Sequence, residues 1–242
     1  TQGLKPYYAV YSTFLQRSFD EIIIDICSQH LPVTICLDRA GISGEDGETH
    51  QGVFDLSFLR LIPGLTIAVP KDVLEFENML KASVNYNAPL VIRYPKESLS
   101  VFGDNTCDNF KFGKWEILKD GGGKVAVLAC GERAIRLSLK VSSKLENFGV
   151  NIKIINARSV KPFDEEMLST LIEKLIITVE DNQLIGGFGD GICRYYSEQN
   201  DKIVKSFAYR DEFIEHGTVE ELMGEYGVNA DEIADYIIKK CG

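Results

Sequence analysis

Histidine is scarce in this chain, three residues among 242, and basic side chains are in deficit, 26 Lys and Arg against 36 Asp and Glu for a net charge of −10. An acidic balance of this size argues against broad nucleic-acid or anionic-membrane binding, since either needs a basic footprint. Any anionic ligand must then be met by local arginines. Closely paired cysteines are also lacking: Cys27, Cys36, Cys107, Cys130, Cys193 and Cys241 lie far apart with no CxxC. That leaves a zinc site without support and suits a reducing, cytoplasmic setting. No stretch approaches the ~18 apolar residues of a spanning helix, and the first residues lack the basic and apolar regions of a signal peptide. What is present is 45% hydrophobic content, enough for a buried core in one large domain or two ordinary ones.

Apolar runs alternate with amphipathic segments, the pattern of an α/β fold with a mostly parallel sheet covered by helices. In the first block the pattern predicts buried strands at 7–11, 33–38, 66–70 and 89–95, with helices at 16–30, 55–62 and 72–86. Residues 97–123 lose the period and gather Gly, Asn and Asp, as an interdomain linker does. A second block predicts strands at 124–131, 150–157, 176–181 and 202–209 and a helix over 132–149 closed by Gly149. Further helical segments fall at 163–175, 218–227 and 229–241. The expected domains are therefore 1–102 and 124–242, joined by 103–123. Because residue 7 already reads as a buried strand with no helix before it, the chain is expected to be the later part of a longer polypeptide.

Ligands of parallel α/β sheets sit outside the carboxyl ends of strands. Tyr11, Phe14 and Arg17 follow the first predicted strand, Arg39, Asp46 and His50 the second, and Arg93 and Tyr94 end the fourth. Three arginines at strand ends in an acidic chain point to a phosphate or carboxylate pocket, against the alternative of salt bridges to Asp38, Asp20 and Glu97. His50 lies in a loop with Gly41, Gly44 and Gly47, where Asp46 is near enough in sequence to orient its imidazole. Later in the chain, "GGFGDG" (186–191) has no asparagine at the distance a diphosphate and magnesium motif needs. It reads instead as a tight strand-to-helix turn.

"YSTFLQRSFDEIIIDI", "LDRAGISGEDGETHQGVFDLSFLRLIPGLTIAVPKD" and "VIRYPKES", followed by "FGDGI" and "FIEHGT", closely resemble the 1-deoxy-D-xylulose-5-phosphate synthases of the transketolase superfamily. The resemblance implies a truncated pyrimidine-binding domain followed by a transketolase-like carboxyl-terminal domain. It implies thiamin diphosphate as cofactor, with Mg2+ held mainly by a diphosphate-binding domain that these residues do not contain. The implied substrates are pyruvate and D-glyceraldehyde 3-phosphate, and the implied assembly is a homodimer. By the same resemblance Phe14 would stack on the aminopyrimidine with Arg17 beside it. Tyr11, Arg39 and Arg93 would hold the aldehyde's phosphate, and His50 with Asp46 would sit near the thiazolium. Residues 1–242 alone are expected to be inactive. A split transketolase, a 2-oxo acid dehydrogenase β-type subunit and a non-catalytic dimerisation module are the alternatives.

Overall fold

The computed structural model describes residues 3–97, 101–102, 110–198 and 201–241, so that Cys107 and most of the first part of the expected linker lie outside the described residues. Two five-stranded mixed sheets are stacked through a shared apolar layer. In the first, β1 (Tyr7–Tyr11), β2 (Thr34–Asp38), β4 (Leu90–Arg93) and β3 (Thr66–Ala68) run parallel in that spatial order. Their register sets Tyr11 beside Asp38 and Leu37 beside Arg93, which brings three strand ends to one rim. The second sheet has the order β10 (Ile203–Tyr209), β9 (Leu175–Gln183), β6 (Val125–Cys130), β7 (Lys153–Asn156) and β5 (Glu116–Lys119), with only β5 antiparallel to its neighbour.

Continuous apolar runs become two-faced once paired. In β6, Ala126, Leu128 and Cys130 join the layer between the sheets, whereas Val125, Val127 and Ala129 face α5 (Glu132–Glu146) and α9 (Ala230–Cys241). In β4, Val91 points into the shared layer and Leu90 and Ile92 into a smaller core under α4 (Val73–Ser83). Helix starts follow local chemistry. Asp72 accepts the Glu75 N–H at 2.7 Å to open α4, and Thr218 with Glu221 forms a capping box at α8 (Val219–Glu225).

Three expectations need correction, and one strand was not expected. The run "YYAVY" is an edge strand, with Tyr7 and Tyr8 about half exposed, because periodicity cannot tell an edge from a centre. The helix expected over 16–30 starts directly after β1 as α1 (Ser12–Leu15), continues through a 3-10 turn and α2 (Phe19–Glu21), and ends in a π-helical stretch at Cys27. The segment expected as linker carries β5 and buries Trp115, whose indole donates to the Ser159 carbonyl at 2.8 Å. Finally β8 (Ser159–Lys161), which lies within the second block of sequence, pairs antiparallel with β3 and completes the first sheet. Its sequence, Ser-Val-Lys, has no apolar run to mark it as a strand.

Three further helices complete the described fold: α3 (Asp55–Leu59), α6 (Glu165–Thr170) and α7 (Phe188–Tyr195). The expected turn at 186–191 is shorter than predicted, since Gly189 and Gly191 already belong to α7. Among the described residues no helix is long and apolar enough to cross a membrane.

Candidate active site

Residues 39–54 leave β2 as a loop pinched at its base, where Gly41 and Gly52 exchange two backbone hydrogen bonds of 2.7 Å. Gly41, Gly44 and Gly47 all adopt positive φ. At Gly41 (φ +80°) the requirement is double, because an added Cβ would also fall 1.9 Å from the Asp181 carboxylate.

Above this base five of the seven predicted site residues form one contiguous run. The Arg39 guanidinium lies 4.3 Å from the Tyr11 ring centroid, Tyr11 stacks on Phe14 at 5.6 Å, and His50 meets Phe14 edge-on at 6.0 Å. Arg17 sits 5.8 Å from the same Phe14 ring. Phe14, Arg17 and His50 line a cavity of about 460 Å³ together with Phe54 and Phe213, whose rings meet edge-on at 6.4 Å. Phe213 comes from the second domain, so the cavity has walls from both. Asp46 joins the run through Arg39 at 3.2 Å and also accepts from Lys96 at 2.7 Å. The Lys96 hydrogen bond, with the two positive charges, holds the Asp46 carboxyl below its ordinary range.

Two expectations fail geometrically. Asp46 does not orient the imidazole: its carboxylate is engaged by two cations, and His50 Nδ1 is hydrogen bonded to the Thr49 hydroxyl at 2.9 Å. Arg93 is not at the cavity wall. Its side chain is 4% exposed, and it donates Nε to Asp55 at 2.8 Å and Nη2 to the carbonyls of Gly52 and Asp181 at 3.3 and 2.8 Å. Neither Glu97 nor solvent takes this guanidinium. Asp55 also accepts from the Ser12 hydroxyl and the Leu56 N–H, and burial pushes its carboxyl up against the pull of Arg93. Arg93 therefore supports the loop from beneath.

Sequence reasoning missed a second layer. Asp181 of β9 takes the Ile42 N–H on Oδ1 at 3.0 Å and Arg133 on Oδ2, while Arg133 donates to the Ile42 carbonyl at 2.8 Å. Gln51 accepts from Ser43 N–H at 2.7 Å and donates to the carbonyls of Gly44 and Glu215. The signal available for Asp181 was its place at the carboxyl end of a parallel strand, the same rule that found Arg39.

Comparison with known proteins matches the transketolase pyrimidine-binding domain to residues 1–101 and the transketolase C-terminal domain to residues 113–233. The chain belongs to the transketolase family. Within this family it is 45% identical over 242 residues to a 1-deoxy-D-xylulose-5-phosphate synthase of Clostridium tetani (strain Massachusetts / E88), covering 99% of this chain and 39% of that protein. The chain thus spans about two fifths of the length of the curated relatives it matches. Among solved structures, a split-gene transketolase described as an inactive β4 tetramer superposes with a TM-score of 0.86 at 26% identity, over 97% of this chain and 75% of that one. The transketolase of Campylobacter jejuni shares the fold at a TM-score of 0.78 and 19% identity, over 97% of this chain and 35% of that one. As a transketolase-family protein, it carries the cavity described above where its pyrimidine-binding domain meets its C-terminal domain.

Proposed function

We propose that this chain forms one side of a thiamin diphosphate cleft in a 1-deoxy-D-xylulose-5-phosphate synthase. The reaction condenses pyruvate with D-glyceraldehyde 3-phosphate, releases CO2 and begins the methylerythritol phosphate route to isoprenoids. The observation that carries this reading is the run Arg39–Tyr11–Phe14–His50 at the rim of β1 and β2, of which Phe14 and His50 line the cavity.

Phe14 fits the cofactor's aminopyrimidine, since it turns a 43% exposed ring toward the cavity beside His50 and Arg17. When bound, thiamin diphosphate supplies the electron sink for decarboxylation. Magnesium does not fit here: among the described residues no three His, Cys, Asp or Glu side chains are grouped to hold a metal ion. No step is assigned to it in this chain.

Arg39 and Lys96 put two positive charges on one carboxylate, Asp46, leaving a net positive charge that an incoming phosphate would meet. Tyr11, packed under the guanidinium, holds Arg39 beside the Phe14 and His50 end of the run. His50, next to Phe14, holds or moves the proton as the aldehyde oxygen develops charge. Arg93 acts at one remove, by fixing Gly52.

The test joins this chain to a diphosphate-binding domain, on the same polypeptide or a second one, and follows CO2 release and product formation. Arg39→Ala is expected to raise KM for the phosphorylated aldehyde about tenfold or more with little change for pyruvate, and His50→Ala to lower kcat by about 10²-fold. Unchanged constants in both variants would leave a non-catalytic assembly module as the better reading. The chain without that domain is expected to show no turnover. A second reading, the β-type subunit of a split transketolase, is favoured by the likeness to the split-gene enzyme over 75% of its chain. Use of a ketose phosphate donor in place of pyruvate would select it.

A further inference from the structure

The loop that carries His50 is held by the second domain as well as by its own. The His50 imidazole is hydrogen bonded to the adjacent Thr49 and its backbone N–H to the Gly47 carbonyl at 2.9 Å, both within the loop, so the imidazole goes where the loop backbone takes it. That backbone is fixed at Ile42, whose N–H and C=O both end on second-domain side chains, Asp181 and Arg133. On the return side, Gln183 N–H donates to the Val53 carbonyl at 2.9 Å, two residues along β9 from Asp181. Asp181 is itself over-determined: the buried Tyr209 hydroxyl donates to Oδ1 at 2.6 Å, and the Asp181 carbonyl accepts from Arg93. Gly41 packs against its carboxylate with no room for a methyl group.

We propose that Asp181 is a positioning residue, through which the second domain fixes the His50 loop over the cavity. The carboxylate bonds three donors from three separate elements: the loop at Ile42, α5 at Arg133 and β10 at Tyr209. Its acceptor geometry therefore couples the loop to the core of the second sheet. This inference rests on the reading of His50 as the proton-handling group only for its catalytic consequence. The mechanical part stands without it.

Two measurements separate the parts. In the chain itself, hydrogen exchange is followed at the amides of Ile42, His50 and Gly52 and at those of β6 as an internal reference. Asp181→Asn is expected to speed exchange about tenfold or more in the loop while leaving β6 within about twofold. Equal acceleration in loop and β6 would mean general destabilisation and overturn the proposal, as would no change in either. Should Asp181→Asn fail to fold, Tyr209→Phe removes one bond to Oδ1 and keeps the ring in place. It is expected to accelerate the Ile42 amide by a few fold, and an unaltered amide there overturns the proposal equally. In the assembled enzyme, Asp181→Asn is expected to lower kcat about tenfold with KM for the phosphorylated aldehyde held within about twofold. A rise in KM alone would count against it. If His50→Ala leaves kcat intact while Asp181→Asn still loosens the loop, the functional reading falls and the clamp remains.

Discussion

Glu180 shows what a single buried carboxyl does in this molecule. It lies at the end of β9, fully enclosed, with one oxygen accepting from Phe188 N–H and the other from Gly189 N–H, each at 2.7 Å. These bonds tie the start of α7 to the sheet, yet burial outweighs them and pushes the carboxyl up to about 7 from 4.5. Below pH 4.5 both folded and unfolded chains hold the proton, so the stability from this group is complete. As pH rises the unfolded chain ionises first, and folding loses up to ~1.4 kcal/mol per pH unit, ~3 kcal/mol in all once the folded pKa is passed. Glu180→Gln cannot ionise and gives up one good acceptor. Its Tm should therefore lie well below that of the natural protein at pH 5, with the gap closing by roughly 6–12 °C at pH 8. Thermal unfolding at the two pH values checks this, and a gap that stays constant contradicts it. At this scale the sequence was legible where a rule about strand ends applied, which is how Tyr11, Arg39 and His50 were found. It was illegible for Arg93, whose carboxylate partner Asp55 is 38 residues away and reaches it only through tertiary packing.

Among the elements, α7 and α8 each carry a helical glycine with opposite consequences. A Cβ at Gly189 would lie 2.4 Å from both Thr178 Oγ1 on β9 and Ser206 Oγ on β10, so α7 rests directly on the sheet. At Gly224 nothing stands within 4 Å. Gly189→Ala is expected to destabilise by ~1–3 kcal/mol despite its better helix propensity, because a rigid sheet and helix must move apart. Gly224→Ala is expected to stabilise by ~0.5–1 kcal/mol through the lower entropy of the unfolded chain. Urea unfolding of the two variants measures both, and the same sign for both would refute the packing account. Gly189 of "GGFGDG" is thus explained by close helix-to-sheet approach, Gly186 by its positive φ of +71° and Gly191 by the Arg60 guanidinium against it, distinctions a sequence shows only as an ambiguous motif. Long alternating elements such as α5 and β6 were placed within a few residues, since their length gives the period room to appear. By contrast β5 and β8 were unreadable: neither carries a continuous apolar run like that of the equally short β4, and each is the antiparallel edge partner of a parallel strand.

The two matched domains behave structurally as one body. Their sheets share a single apolar layer, running from Leu15, Leu37 and Val91 on one side to Leu128, Ile155 and Phe188 on the other. Strand β8 crosses to the first sheet, and a buried ionic cluster spans the boundary. There Glu75 of α4 accepts from Arg158 at 2.9 Å and from Asn156, while Lys71, 1% exposed, bonds Glu116 of β5 at 2.8 Å. Charges enclosed this way contribute little net stability as pairs but leave a costly carboxylate when one member is removed. Arg158→Ala should accordingly destabilise by ~3–5 kcal/mol. Because that carboxylate belongs to the first domain and the lost cation to the second, the whole chain should melt in one calorimetric transition before and after the change, moved to lower temperature as a unit. Two transitions, only one of them shifted, would mean that the domains unfold separately. The coupling through Asp181 would then have to be maintained by the loop contacts alone, without the shared core behind them.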